Sequence, residues 1–318
     1  MQDNLSNKYI ELKIDRGFGD IITAYFDFIK QNLKKFTNVF LSYNGIFLIG
    51  LLVVSYLLVS GFIGLITYQN NNVFGTSSTG SSDETYIIYF IVGGILFFII
   101  FIMVAIMNYS LAASYMIKYE TIKGNHFDKK EVWNLVKQKL GSVFLFILLV
   151  ILIFVAYTIV SVILVFIPFL GAIVQYILQF FILSWFGVSF FCMLQENKGV
   201  TEAFGEGWNL VKNNFWKSVG VNFILGLLNG ILLMVVLVIP GILIGFYTYH
   251  VVQNDVDIAA SIIPTLIFTL GTCAFLIILV YGQCLSQFIN GILYYALHEK
   301  TYNTNTRSKI EQIGNLDQ

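Results

Sequence analysis

Six long apolar runs dominate this sequence, at about 45–68, 86–117, 142–167, 170–194, 219–247 and 262–297. A helix needs roughly 20 residues to cross the hydrocarbon of a bilayer, and each run is long enough. The third and fourth runs are separated only by Pro168-Phe169-Leu170-Gly171, and proline and glycine together mark a tight turn. The expected fold is therefore an all-α integral membrane protein with six transmembrane helices, paired as three hairpins. The second and sixth runs exceed what one crossing needs, so those helices are expected to tilt or to project beyond the bilayer. With 57% hydrophobic and 11% charged residues over 318 positions, the chain lacks the charge to cover a soluble surface of its own size.

The cations sort by segment. Residues 1–42 hold Lys8, Lys13, Arg16, Lys30, Lys34 and Lys35, and 118–140 hold Lys118, Lys123, Lys129, Lys130, Lys137 and Lys139. Lys198, Lys212 and Lys217 follow in 195–218, and Lys300, Arg307 and Lys309 in the tail. That accounts for all 18 Lys and Arg. The connections at 69–85, 168–171 and 248–261 carry none, and hold Asp83, Glu84, Asp255 and Asp257 instead. By the positive-inside rule both termini and the two long basic connections lie in the cytoplasm, with an even number of spans. The expected location is a bacterial inner membrane. The polar 69–85 segment is expected to be a flexible external loop. No cleavable signal peptide is visible, and the first apolar run reads as an uncleaved span. Because 18 Lys and Arg balance 18 Asp and Glu, nothing points to nucleic acid.

A threefold internal repeat underlies the three hairpins. Trp-Asn-Leu-Val-Lys stands at 133–137 and again at 208–212, with a degenerate copy from Phe26 to Lys30. Arg16-Gly17, Lys123-Gly124 and Lys198-Gly199 each place the glycine nine residues before Phe26, Trp133 and Trp208. One spacing recurring three times marks a genuine repeat. In the first copy Phe18, Ile21, Ile22, Tyr25, Phe26, Ile29 and Leu33 fall on a helical stripe, and in the third Ala203, Phe204, Trp208, Val211 and Phe215 do. Each unit is therefore expected to be a cytoplasmic amphipathic interfacial helix feeding a transmembrane hairpin, repeated in parallel about the membrane normal. The glycine is expected to make the sharp turn into that helix, and Thr201 to cap the third one. The boundaries are about 16–118, 123–196 and 198–297 within a single membrane domain, with 298–318 a cytoplasmic tail. Glu120, Glu196 and Glu299 each close an even-numbered span.

The segment Glu196-Asn197-Lys198-Gly199-Val200-Thr201-Glu202-Ala203-Phe204, followed by Gly-Trp-Asn-Leu-Val-Lys-Asn-Asn-Phe-Trp at 207–216, resembles the pre-hairpin element of a broad bacterial six-span superfamily. That group includes the YciC-like proteins and the membrane domain attached to some glycerophosphodiester phosphodiesterases. The tail from Leu293 to Lys300, ending in Ile310-Glu311-Gln312-Ile313-Gly314, resembles uncharacterised members from Bacteroidota. The resemblance implies an inner-membrane protein. It implies no phosphodiesterase activity, because that catalytic domain has no counterpart here.

No catalytic motif stands in the sequence, and no cofactor or metal is expected. His126, His250 and His298 are divided between the two expected sides of the membrane and read as surface residues. Cys192, Cys273 and Cys284 lie in apolar runs and read as small packing residues. Gly93-Gly94 reads as a close helix contact. Ionisable residues are essentially absent from the centres of the runs, which weighs against an ion-coupled transporter. Amides are present: Asn108 on the second span, Gln175 and Gln179 on the fourth, Asn222 and Asn229 on the fifth, and Gln283, Gln287 and Asn290 on the sixth. Their spacings put each set on one helix face. They are candidates either for interhelical bonds or for the lining of a polar cavity.

Three functions remain open at this stage. The first is a non-catalytic scaffold or accessory subunit of an envelope assembly or translocation complex, with the lipid bilayer and other membrane proteins as partners. The second is a passive transporter or lipid-handling protein, which requires a cavity lined by Gln283 and Gln287. The third is an intramembrane enzyme, for which convergent chemistry is missing.

Overall fold

The structure is a computed structural model and describes residues 9–73, 82–254 and 262–316. All regular structure among the described residues is helical. In chain order the helices are α1 (Phe18–Val73), α2 (Ser82–Ile122), α3 (Lys129–Val165), α4 (Leu170–Gln195), α5 (Val200–Lys212), α6 (Phe215–Asn254), α7 (Ile262–Tyr302) and α8 (Thr304–Leu316). Six of them, α1, α2, α3, α4, α6 and α7, are long and apolar enough to cross a membrane, which fits a multi-pass membrane protein. Of the segment expected to be an external loop, 69–73 and 82–85 instead continue α1 and α2, while 74–81, like Asp255 and Asp257, lies outside the described residues.

The helix boundaries follow local chemistry. Asp128 caps α3 by accepting from the Lys130 amide at 3.1 Å, while Glu131 reaches back to the Asp128 amide at 3.1 Å. That reciprocal arrangement satisfies two donors the first turn would otherwise leave open. The α3–α4 turn places Phe169 at φ 62°. Gly171 follows because any Cβ there would run into the Leu164 carbonyl. Of the pair Gly93-Gly94, Gly93 stands where α1 and α2 approach, with Leu57 and the Leu58 amide 3.0 and 3.2 Å from where its Cβ would be, whereas Gly94 has nothing within 4 Å.

Three local expectations are revised. The left-handed residues after α2 and α4 are Lys123 (φ 57°) and Asn197 (φ 55°), not the neighbouring glycines. After α2 the Gly124 amide donates to the Tyr119 carbonyl at 3.1 Å, which closes a Schellman loop around Lys123. The N-cap of α5 is Gly199, in extended conformation and without a side-chain bond, rather than Thr201. Of the three stretches expected to be short interfacial helices, 200–212 alone forms a separate helix, α5, among the described residues. The stretches that open at Phe18 and Lys129 run on without a break as parts of the continuous helices α1 and α3.

The chain divides into two compact units. Unit 1 comprises 1–40, 106–227 and 283–318, and unit 2 comprises 41–105 and 228–282. Unit 1 contains a dense aromatic core. Phe28 and Phe36 lie 5.1 and 4.7 Å from Phe288, and Phe36 lies 5.4 Å from Tyr115, all edge-on. A second cluster joins α3, α4 and α5, with Phe146 stacked on Phe204 at 4.6 Å and Trp185 edge-on to Trp208 at 5.0 Å. The Trp185 indole donates to the Phe204 carbonyl at 2.8 Å. In unit 2 the contacts are thinner. None of the described α6 side chains beyond Leu225 is buried.

Candidate functional site

The amides singled out in the sequence are not gathered at one place. Asn108 on α2 is fully buried and donates to the Gln283 side-chain oxygen at 3.4 Å. One helical turn along α7, Gln287 is 1% exposed and bonds the Tyr109 hydroxyl, while its oxygen has no partner. A third knot joins α4, α6 and α7. Asn222 donates to Ser184 Oγ at 2.6 Å and to Asn290 Oδ1 at 3.1 Å, and Ser184 Oγ donates to the Ser218 carbonyl at 2.8 Å. Gln175 and Gln179 are half-buried on α4 and join none of these knots; the Gln175 backbone carbonyl accepts from Tyr157 at 3.2 Å. Asn229 falls in unit 2, with its side-chain oxygen 3.9 Å from where a Cβ on Gly282 would stand.

These bonds are what helices in lipid use in place of hydrophobic attraction. Lipid tails are as apolar as leucine, so amide pairs and small residues fix which helices meet. Gly187 supports the third knot: a side chain there would collide with Asn290.

A larger polar array surrounds the ends of α2, α4 and α7. Tyr115 and Tyr119, one turn apart on α2, donate to Asn32 at 2.9 Å and Gln31 at 2.8 Å on α1. The Ile10 amide donates to the Tyr119 hydroxyl at 2.8 Å. Glu120 is 2% exposed and accepts from Tyr9 and Lys123, with Lys13 at 3.8 Å. Burial and the bonded Glu120 hold the Tyr9 hydroxyl well above its ordinary range, so it stays a donor. Glu196 accepts from Tyr294 at 2.8 Å and pairs with Lys198 at 2.7 Å, and His298 stands 3.6 Å away. Burial disfavours the Lys198 ammonium, but Glu196 and Glu206 outweigh it and leave its pKa raised. Glu206 also accepts from Tyr302 at 2.6 Å.

Glu299, 3% exposed, caps α8 by accepting from the Asn305 and Thr306 amides, each at 2.9 Å, and from the Thr306 and Thr304 hydroxyls. An acid at a helix N-terminus satisfies open amides and complements the dipole. Glu11 ties the N-terminal segment to α8 through Lys309 and through Asn305 at 2.8 Å. Burial alone pushes the Glu11 carboxyl up, but the bonds from Lys309 and Asn305 prevail and hold its pKa below the ordinary value.

The sequence had marked Glu120, Glu196 and Glu299 as span ends. It gave no partners for them, and it missed Tyr9, Gln31, Asn32, Tyr109, Tyr115, Ser184 and Ser218. One signal was available, the Tyr115/Tyr119 pair at i, i+4 on an otherwise apolar helix. His298, expected at the surface, is instead 21% exposed between Tyr294 and Tyr302, 5.6 and 4.8 Å away. Among the described residues no three His, Cys, Asp or Glu side chains gather as metal ligands.

Unit 2 holds an apolar groove of about 410 Å³ between α1 and α7, lined by Leu52, Val53, Tyr56, Leu266, Thr269 and Leu270 among others. None of the candidate amides lines it. No family model, curated protein or solved structure matches this chain at a significant level.

Proposed function

We propose that the protein is a non-catalytic scaffold or accessory subunit of a membrane assembly in the bacterial inner membrane, with both termini in the cytoplasm. It is built as three parallel modules, each an amphipathic interfacial segment leading into a transmembrane hairpin. The resemblance to YciC-like six-span proteins is part of this reading. Its main support is the fate of the amides. A transporter needs Gln283 and Gln287 to face an open path, yet the first accepts from Asn108 and the second is buried beside Tyr109. Asn222 and Asn290 are bonded to each other and to α4. Polar groups used in this way hold helices in register and leave little to handle a solute.

Gentle solubilisation from the native membrane, followed by size-exclusion chromatography and mass spectrometry, tests this. The expected result is co-elution with other membrane proteins in stable proportion. Recovery only as a free monomer overturns it.

A lipid-handling role is the second reading. It draws on the unit 2 groove, whose apolar lining suits hydrocarbon. Photo-crosslinking from position 266 to acyl chains, with no crosslink to protein, would favour it over the scaffold.

A further inference from the structure

The repeated element has a feature that helix packing does not explain: the Asn or Asp and the Lys that recur in all three copies face away from the core, beside a part-exposed aromatic. In copy one Phe26 is 48% exposed, and Asp27 and Lys30 are exposed with it. In copy three Trp208 is 39% exposed beside exposed Asn209 and Lys212. In copy two Trp133 is half-buried, Asn134 and Lys137 are exposed, and the Lys137 ammonium stands 5.6 Å from the Trp133 ring centre. The core contacts are made by the apolar pair inside the string: Phe28 in copy one, Val136 in copy two, and Leu210 and Val211 in copy three are buried. Packing therefore accounts for those apolar positions. Trp208 also meets Trp185 and Phe181 edge-on at 5.0 and 5.1 Å, but packing does not account for an exposed lysine recurring four residues after each aromatic.

That pair has a defined chemistry. Residues at i and i+4 are neighbours on a helix surface. An indole or phenyl ring settles at the depth of lipid headgroups, and the lysine beside it presents an ammonium at phosphate level. Further exposed lysines reinforce two of the sites: Lys34 follows Lys30 by one turn, and Lys129 and Lys130 precede Trp133. The acids nearby are few. Asp20, Asp27 and Glu202 are exposed, whereas Asp128 caps the Lys130 amide, Glu131 is engaged with Lys118 and the Asp128 amide, and Glu206 with Lys198 and Tyr302.

We infer that the three pairs Phe26/Lys30, Trp133/Lys137 and Trp208/Lys212 are headgroup sites that select anionic phospholipid over zwitterionic phospholipid. The inference rests on the proposed orientation, which brings these pairs to the cytoplasmic leaflet. Each lysine near an anionic bilayer surface contributes about fivefold in partitioning.

The test uses the full chain in mild detergent, with phosphatidylglycerol and phosphatidylcholine supplied in equal amounts and bound lipid read by native mass spectrometry. Wild type is expected to retain phosphatidylglycerol at least about fivefold over phosphatidylcholine. The triple variant Lys30→Gln, Lys137→Gln, Lys212→Gln is expected to bring the two lipids to parity with its thermal midpoint unchanged. Lys300→Gln, at a lysine bonded to Asn214, is expected to behave as wild type. Equal retention of both lipids by wild type, or an unaltered preference in the triple variant, overturns the inference. Displacement of phosphatidylglycerol by inorganic phosphate alone also overturns it, because the sites would then be simple anion sites. Preferential capture of an acidic protein partner, with no lipid preference, would assign the same lysines to protein docking and does so too.

Labelling of a Lys137→Cys variant with a membrane-impermeant maleimide separates this result from the orientation. Reaction from outside intact cells sinks the orientation. Protection from outside, together with lipid parity, sinks only the headgroup inference.

Discussion

Leu293 and Tyr115 in unit 1 are wholly enclosed, whereas Met234 and Phe246 in unit 2 are 72% and 71% exposed. Both units are apolar, so hydrophobicity does not separate them. The difference lies in how much bonded polar chemistry each contains. Unit 1 has the Asn222–Asn290–Ser184 knot, the Tyr115 and Tyr119 bonds to α1, and three carboxylates tied to named donors. Both units also leave buried polar atoms without a partner, among them the Asn44 amide and the Thr269 hydroxyl in unit 2 and the Ser161 and Ser189 hydroxyls in unit 1. In a lipid solvent exposed apolar surface costs nothing, so packing density follows directional bonds and small residues instead.

The sharpest way to break this comparison is a pair of glycine substitutions. Gly207 on α5 lies against the Ser189 backbone, whose amide nitrogen and Cα are each 2.8 Å from where its Cβ would be, while Gly241 on α6 has nothing within 4 Å. Gly207→Leu should cost about 3 kcal/mol by overpacking and shift the emission of Trp185 and Trp208. Gly241→Leu should be neutral or mildly stabilising. Similar thermal midpoints for the two variants would erase the contrast between α5 in unit 1 and the open α6 face of unit 2.

Glu120→Ala comes next, at about 2 kcal/mol, because it strips a buried acceptor from Tyr9 and Lys123. Amide exchange over 9–16 should speed up with it, and unchanged exchange would show that the segment is held by other contacts. Asn222→Ala should cost about 1 kcal/mol. In a double-mutant cycle with Asn290→Ala the coupling should be near 0.6 kcal/mol, the average for such bonds in membrane proteins.

The clasp between Glu11 and α8 should depend on pH. The Glu11 carboxyl titrates lower in the folded chain than in the unfolded one. Its contribution is therefore complete above the ordinary carboxylate pKa, about 4.3, and fades as pH falls through the lower folded value. Because the Lys309 and Glu11 side chains are 54% and 32% exposed, the effect is below about 1 kcal/mol. Exchange of the 305–312 amides should be slow at neutral pH and faster in acid, and Glu11→Gln should remove that dependence. The smallest effect is expected for Thr269→Val in unit 2. Its hydroxyl has no partner, so an apolar replacement of similar shape should change stability by less than about 0.5 kcal/mol. A clear loss would mean that unit 2 is more tightly organised than its open α6 face implies.

The sequence by itself determined the material and the count: six apolar stretches between polar ones leave little but membrane helices, since only a helix satisfies every backbone group within its own segment. It also placed Asn108, Asn222, Gln283, Gln287 and Asn290 on definite faces, because helical periodicity is local. It could not tell that Asn108 would meet Gln283, that Tyr119 would reach Gln31, or that Glu299 would cap a helix following a left-handed Asn303. Those pairings join positions far apart along the chain or depend on one backbone angle, and lipid exerts no hydrophobic pressure that would reveal them as a pattern of burial. The fusion of the first two pre-hairpin stretches into α1 and α3, against the separate α5, was likewise decided only in three dimensions. Similar residues serve either outcome, and the contacts around them select one.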